Sequence, residues 1–191
     1  MATAGADAII PLANRLQALF PLVVATKDWH PSNHSSFASN HPGHQVGESM
    51  QMNGLMQVLW PDHCVQESSG AEFHDALDTQ KISKTFYKGT DVLIDSYSAF
   101  YDNAHQRQTG LQDYLQAQGI TDVYILGLVT DYCVKFSALD AKQAGFKVYV
   151  IEDACCAYEA EPGDSLRALD EMRAAGIQII SSAAISRLSI S

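Results

Sequence analysis

Short apolar runs alternating with stretches of helical periodicity constrain this chain more than any other feature. LVVAT (residues 22–26), VYILGLV (123–129) and FKVYVIED (146–153) are brief and rich in β-branched and aromatic residues. Runs of this kind suit strands buried on both faces. Ile9, Leu12, Ala13, Leu16 and Phe20 recur at helical spacing ahead of the first run. Helices are also expected over residues 109–118, over 131–144, and from Asp164 to a stop at Gly176. KTFYK (84–88) and QIISS (178–182) complete the strands. Strands alternating with helices call for an α/β fold with a mostly parallel sheet. Asp7, Asp131 and Asp164 stand where N-caps are wanted, and Leu166, Leu169 and Met172 are expected to face inward. Residues 27–78 break the pattern: they read as irregular, and connections that long are functional or disordered.

At 191 residues, with no internal repeat or linker, the chain is expected to form a single domain over 1–191. Its 22 acidic against 12 basic residues argue against a nucleic-acid or anionic-membrane partner, since either wants a basic face. No apolar run approaches the roughly 18 residues of a membrane span, and MATAGADAII lacks the features of a secretory signal. Four cysteines, two of them adjacent, make no disulfide framework, and a cytoplasmic location is expected.

In open parallel sheets, sites gather at the carboxyl ends of the strands. There DWHPSNHSSF supplies Asp28, His30 and His34, and WPDHC in the following loop supplies Trp60 and His63. Asp28 and His30 lie two apart, on one side of an extended segment. With a second imidazole they would form a two-histidine, one-carboxylate set suited to zinc, iron or manganese. A polar surface loop would use the same residues. Cys133, in GLVTDYCV, sits just inside a helix that directly follows a strand. Converging N–H groups and the helix dipole favour a thiolate there and can hold an oxyanion; a buried cysteine also serves as a small core residue. Lys88 closes a strand as a solvated charge or a site residue, and Tyr97 in DSYSAF is a packing or a substrate contact.

Taken in order, DWHPSNHSSF, LWPDHCVQ, FYKG, DSYSAF and GLVTDYCVKFSALDA resemble the motif series of nicotinamidases, within the isochorismatase-like cysteine hydrolase superfamily. The resemblance runs over residues 9–180. It implies a three-layer α/β sandwich and hydrolysis of nicotinamide to nicotinate and ammonia in NAD salvage, by an Asp–Lys–Cys triad beside a metal ion. It makes Cys133 the nucleophile, Lys88 the triad lysine, and Asp28, His30 and His63 the metal ligands, with His34 a ligand in some relatives only. Trp60 and Tyr97 would line the substrate pocket. The N–H groups of Val129 and Cys133 would form the oxyanion hole, with a cis peptide between Leu128 and Val129. One divalent ion is implied, zinc ahead of iron or manganese, and pyrazinamide is implied as a second substrate. A homo-oligomer is left open.

One family element has no counterpart here: an opening strand of the type apolar-apolar-Asp-x-Gln-x-Asp-Phe, whose first aspartate is the triad base. The expectation is an N-terminally truncated chain whose sheet lacks a central strand between LVVAT and VYILGLV. Little activity is expected of it in this form. Two rivals stand beside this reading. One is a superfamily hydrolase of another amide, which would not need the histidines of DWH and PDHC. The other is an inactive fragment or pseudoenzyme that keeps metal or nicotinamide binding.

Overall fold

The computed structural model describes residues 3–185. α1 (Ile10–Gln17) carries Pro11 in its first turn, where a missing N–H costs nothing, and turns Ala13 and Leu16 inward. β1 (Val23–Asp28) pairs in parallel with β4 (Ile82–Lys88), setting Asp28 opposite Lys88 at the carboxyl ends. Between them runs a hairpin of β2 (Ser49–Met52) and β3 (Leu55–Val58), turned by Asn53 and Gly54, both at positive φ. Asn-Gly supplies the backbone that a two-residue hairpin turn requires. α2 (Leu111–Ala117), β5 (Asp122–Leu128), α3 (Lys135–Gln143), β6 (Lys147–Cys156), α4 (Asp164–Ala174), β7 (Gln178–Ile180) and α5 (Ser182–Ile185) follow in sequence. β5, β6 and β7 are parallel and adjacent in that order.

Period-two alternation sends successive strand residues to opposite helical layers. Val123, Ile125, Val148 and Val150, with Val24 and Phe86 from the other strand pair, pack on Leu115, Ala138, Ala141 and Met172 of α2, α3 and α4. Tyr124, Leu126 and Ile151 face the other way, towards Leu16 of α1 and Ile185 of α5. The result is the α/β arrangement that the alternating pattern calls for, in the three layers that the family resemblance implies.

The strands form separate hydrogen-bonded groups, β1–β4, β2–β3 and β5–β6–β7, and among the described residues no pairing joins β1 to β5. Among the described residues, each of those two strands has a paired neighbour on one side only. This corrects the reading of LVVAT and VYILGLV as fully buried: both are partly exposed along their length. β6, flanked on both sides, does bury Val148, Tyr149, Val150 and Ile151.

The capping expectations also need correction. Thr130–Val134 form a π-type turn ahead of α3. Asp131 does not cap it; its carboxylate accepts the N–H groups of Tyr158 and Glu159, each at 2.9 Å. Asp7 lies within a 3₁₀ turn (Ala6–Ile9) that has no side-chain cap. Asp164 is already inside α4, behind Gly163. Leu166 is 65% exposed, because two residues along a helix is about 200° from the face that carries Ala168 and Met172.

Candidate active site

Lys88 is buried at the end of β4 and spends its three donors inside the protein. It pairs with Asp28, donates to the Ser96 carbonyl at 2.8 Å and reaches Cys133 Sγ at 3.3 Å. Burial opposes its charge, but the Asp28 carboxylate and Cys133 raise its pKa, so the ammonium is retained. Burial likewise opposes ionisation of Asp28, yet Lys88 and then His30 hold the carboxyl below its usual range. Burial pushes the Cys133 thiol up to about 11, with Lys88 pulling the other way. The resting group at neutral pH is thus a thiol against a fixed positive charge. Among the described residues, the hydrogen bond to its sulfur comes from Lys88.

Beyond β1 the chain stays extended. Bridges from His30 to Val65 and from Phe37 to Trp60 dock the WPDHC segment alongside and bring the His63 ring to 4.8 Å from that of His30. His30 Nδ1 donates to the Gly89 carbonyl and His63 Nδ1 to the Pro61 carbonyl, both at 2.8 Å. A ring nitrogen facing a carbonyl must carry the proton, so in the neutral ring each Nε2 keeps its lone pair. One ligand atom each from Asp28, His30 and His63 lie within 4.8 Å of one another. Two neutral imidazoles and a carboxylate, with other positions open, fit zinc. Burial, then the neighbouring His30, lowers the His63 pKa and favours the neutral ring that a metal needs.

His34 is fully buried with its ring 4.4 Å from that of His30. His30, His34 and Asp95 make a second group of potential ligand atoms within 4.8 Å of one another. Trp60 and Tyr97 meet edge-on at 6.3 Å, and Tyr132 lies 4.8 Å from the first and 5.3 Å from the second. Tyr158 closes on Trp60 at 5.4 Å. Tyr132 precedes Cys133 in the chain, so this aromatic wall adjoins the thiol. The Leu128–Val129 peptide is cis, and the Val129 carbonyl accepts the N–H groups of Tyr132 and Val134 at 3.2 and 3.0 Å.

The structure therefore gathers Asp28, Lys88 and Cys133 at one point, with His30 and His63 next to Asp28. It adds Asp95, Ser96, Tyr132 and Tyr158, which the sequence reading did not single out. Two of these flank residues that it did: Ser96 precedes Tyr97 in DSYSAF, and Tyr132 precedes Cys133.

Parallel strands whose carboxyl ends collect a thiol, an ammonium and a histidine–carboxylate cluster define an α/β protein with a cysteine–lysine site at its sheet ends. Known proteins narrow that class. The Isochorismatase domain family matches residues 3–184. The nicotinamidase of Escherichia coli (strain K12) is 48% identical over 174 residues, 89% of this chain and 81% of the relative. The structure of a nicotinamidase/pyrazinamidase from Acinetobacter baumannii matches at 46% identity with a TM-score of 0.93, over 96% of this chain and 88% of that one. The pyrazinamidase of Pyrococcus horikoshii, solved in complex with zinc, matches at 36% identity and a TM-score of 0.74, over 94% and 88%. This chain belongs to the isochorismatase family.

Proposed function

We propose that this protein is a nicotinamidase, hydrolysing nicotinamide to nicotinate and ammonia for NAD salvage. The observation that carries the reading is Cys133 Sγ at 3.3 Å from a buried lysine that is itself paired with Asp28. Cys133 Sγ attacks the carboxamide carbon, and the N–H groups of Val129 and Cys133 receive the oxyanion. Lys88 lowers the cost of the thiolate by its fixed charge. The thiol proton passes to the aspartate that the family resemblance sets on a strand between β1 and β5, and from there to the leaving ammonia. Water then cleaves the thioester and restores the thiol. Trp60 and Tyr97 flank the ring. Asp28, His30 and His63 hold one divalent ion, for which zinc is the choice that the Pyrococcus relative supports. When bound, such an ion offers a Lewis acid to the pyridine nitrogen.

Pyrazinamide presents the same carboxamide on a ring with one more nitrogen and is a second substrate on this reading. The four cysteines are free, and among the described residues no helix is long and apolar enough to cross a membrane. A nucleophilic thiol is best kept reduced, which favours the cytosol. The test is ammonia release from nicotinamide, by the protein alone and with a strand of the type apolar-apolar-Asp-x-Gln-x-Asp-Phe supplied ahead of it. Turnover is expected with the strand, and Cys133→Ala is expected to lower it by about 10⁴-fold or more. Release from another amide but none from nicotinamide would overturn the substrate, and full turnover by Cys133→Ala would overturn the nucleophile.

A further inference from the structure

Away from the strand ends, a cleft of about 330 Å³ opens between α2, α3 and the segment that joins β4 to α2. That is room for a small organic molecule, since ligand pockets begin at about 300 Å³. Tyr101 and His105 line it from the joining segment, Gln112 from α2, and Asp140, Gln143 and Ala144 from the end of α3. The joining segment is held in shape. Asp102 accepts the N–H groups of Ala104, Gln106 and Arg107 at 3.1, 2.9 and 3.1 Å, and Tyr101 bridges to Gln108. None of the lining residues belongs to the cysteine–lysine site.

Asp140 sets the chemistry of the cleft. It is 6% exposed, and its Oδ2 is buried without a hydrogen-bond partner. Its Oδ1 lies 3.6 Å from His105 Nε2, an ion pair only when that ring is protonated. The permanent cations closest in sequence to these two residues are committed elsewhere: Arg107 pairs with Asp91, and the Lys142 side chain lies over Gly176. A buried carboxylate without a fixed partner is costly, so the site calls for positive charge and N–H donors. Two further features agree. Gln143 and Ala144 stand at the carboxyl end of α3, where the helix dipole favours a cation. Tyr101 and His105 stack at 5.0 Å and 12°, a flat aromatic surface of the kind on which a planar cation rests. The Tyr101 hydroxyl donates to Gln112 Oε1 at 3.0 Å, which fixes that ring.

We infer that this cleft binds a small organic cation with N–H donors, a guanidinium or amidinium above all, with Asp140 as its counter-ion. Such a forked donor meets both carboxylate oxygens at once, taking the place of His105 at Oδ1 and satisfying Oδ2. The His105 side chain is 53% exposed, so its ring has room to turn aside. The body of the ligand then lies along the Tyr101 ring. Neither the metal nor the nucleophile enters this inference, and it stands or falls apart from the proposed activity.

The probe is butylguanidinium, with butylurea as its uncharged match in shape. Calorimetric titration of the full chain should show one butylguanidinium bound per chain, and butylurea weaker by about 10–100-fold, the worth of a hydrogen bond to a charged group. Asp140→Asn keeps the size of the side chain and removes its charge, so it is expected to lower butylguanidinium affinity by the same factor. Proton NMR of the unaltered chain should show the His105 and Tyr101 ring signals moving with the titration while those of Trp60 and Tyr97 stay in place. Any of four results would overturn the inference: no binding of butylguanidinium, equal binding of butylurea, an Asp140→Asn chain that binds as well as the parent, or shifts confined to Trp60 and Tyr97. If Asp140→Asn does not fold, the ring shifts and the butylurea comparison on the unaltered chain decide the matter.

Discussion

At Gly89 the backbone runs at φ +62°, and a Cβ built there would stand 2.2 Å from His30 Cε1 and 2.5 Å from Nδ1. The absence of a side chain is what lets His30 lie against the strand end and anchor on the Gly89 carbonyl. Gly89→Ala should push the ring off that anchor. Loss of such a support typically costs 10–100-fold in metal affinity, which a competition titration with a zinc chelator reads; unchanged affinity would refute the role given to the glycine. Lys88 makes the companion case. With the Cys133 thiol near 11, its thiolate fraction grows as pH rises, so alkylation should accelerate towards that pH, and ahead of Cys155, which burial pushes to about 12. Lys88→Met removes the charge that favours the thiolate, so the Cys133 profile should move to higher pH; a profile left in place would show that the lysine does not tune the thiol. Lys88 was legible through FYKG as part of the family's motif series, whereas nothing in the sequence reading singled out Gly89. The orientation of the His34 ring was not legible either, because it depends on its Nδ1 meeting the Ser36 N–H.

The π-type turn at Thr130–Val134 explains how a strand can feed a helix and still present a sulfur at their junction. Asp131 within that turn holds down the chain after β6 by accepting two N–H bonds from Tyr158 and Glu159. Asp131→Ala should cost roughly 2–4 kcal/mol, the loss of two charge-assisted bonds at a buried site, seen as a lower urea midpoint. It should also loosen Tyr158 from Trp60, readable as a change in tryptophan fluorescence. A midpoint within error of the parent's would count against the anchoring role. An aspartate just after an apolar strand reads as a helix cap, and here the carboxylate is used elsewhere. The β2–β3 hairpin escaped the sequence reading for a related reason. Its Gln57 is buried, donating to the Leu93 carbonyl at 3.0 Å and accepting from Asp95, so a polar residue occupies an inward position and hides the alternation. The Asn-Gly pair was the signal that remained.

Over the whole molecule, the parallel direction of the strands follows from the alternation of strand and helix signals and the three layers from the family resemblance, while among the described residues the pairing shows an interruption between β1 and β5. That interruption has a mechanical consequence. Asp28, His30, His63 and Lys88 all hang from the half built on β1 and β4, and Val129 and Cys133 from the half built on β5. The apolar cluster that joins Val24 and Phe86 to Val148 and Val150 carries the load between the halves, since among the described residues no backbone ladder joins them. The Lys88–Cys133 contact then works as a gauge of how far the halves have parted. In a urea titration, labelling of Cys133 should rise towards that of an unfolded thiol before circular dichroism registers any loss of helix, while an ion held by Asp28, His30 and His63, as proposed above, should stay bound because all three belong to one half. Coincident transitions in all three signals would mean that the halves come apart only when each also melts.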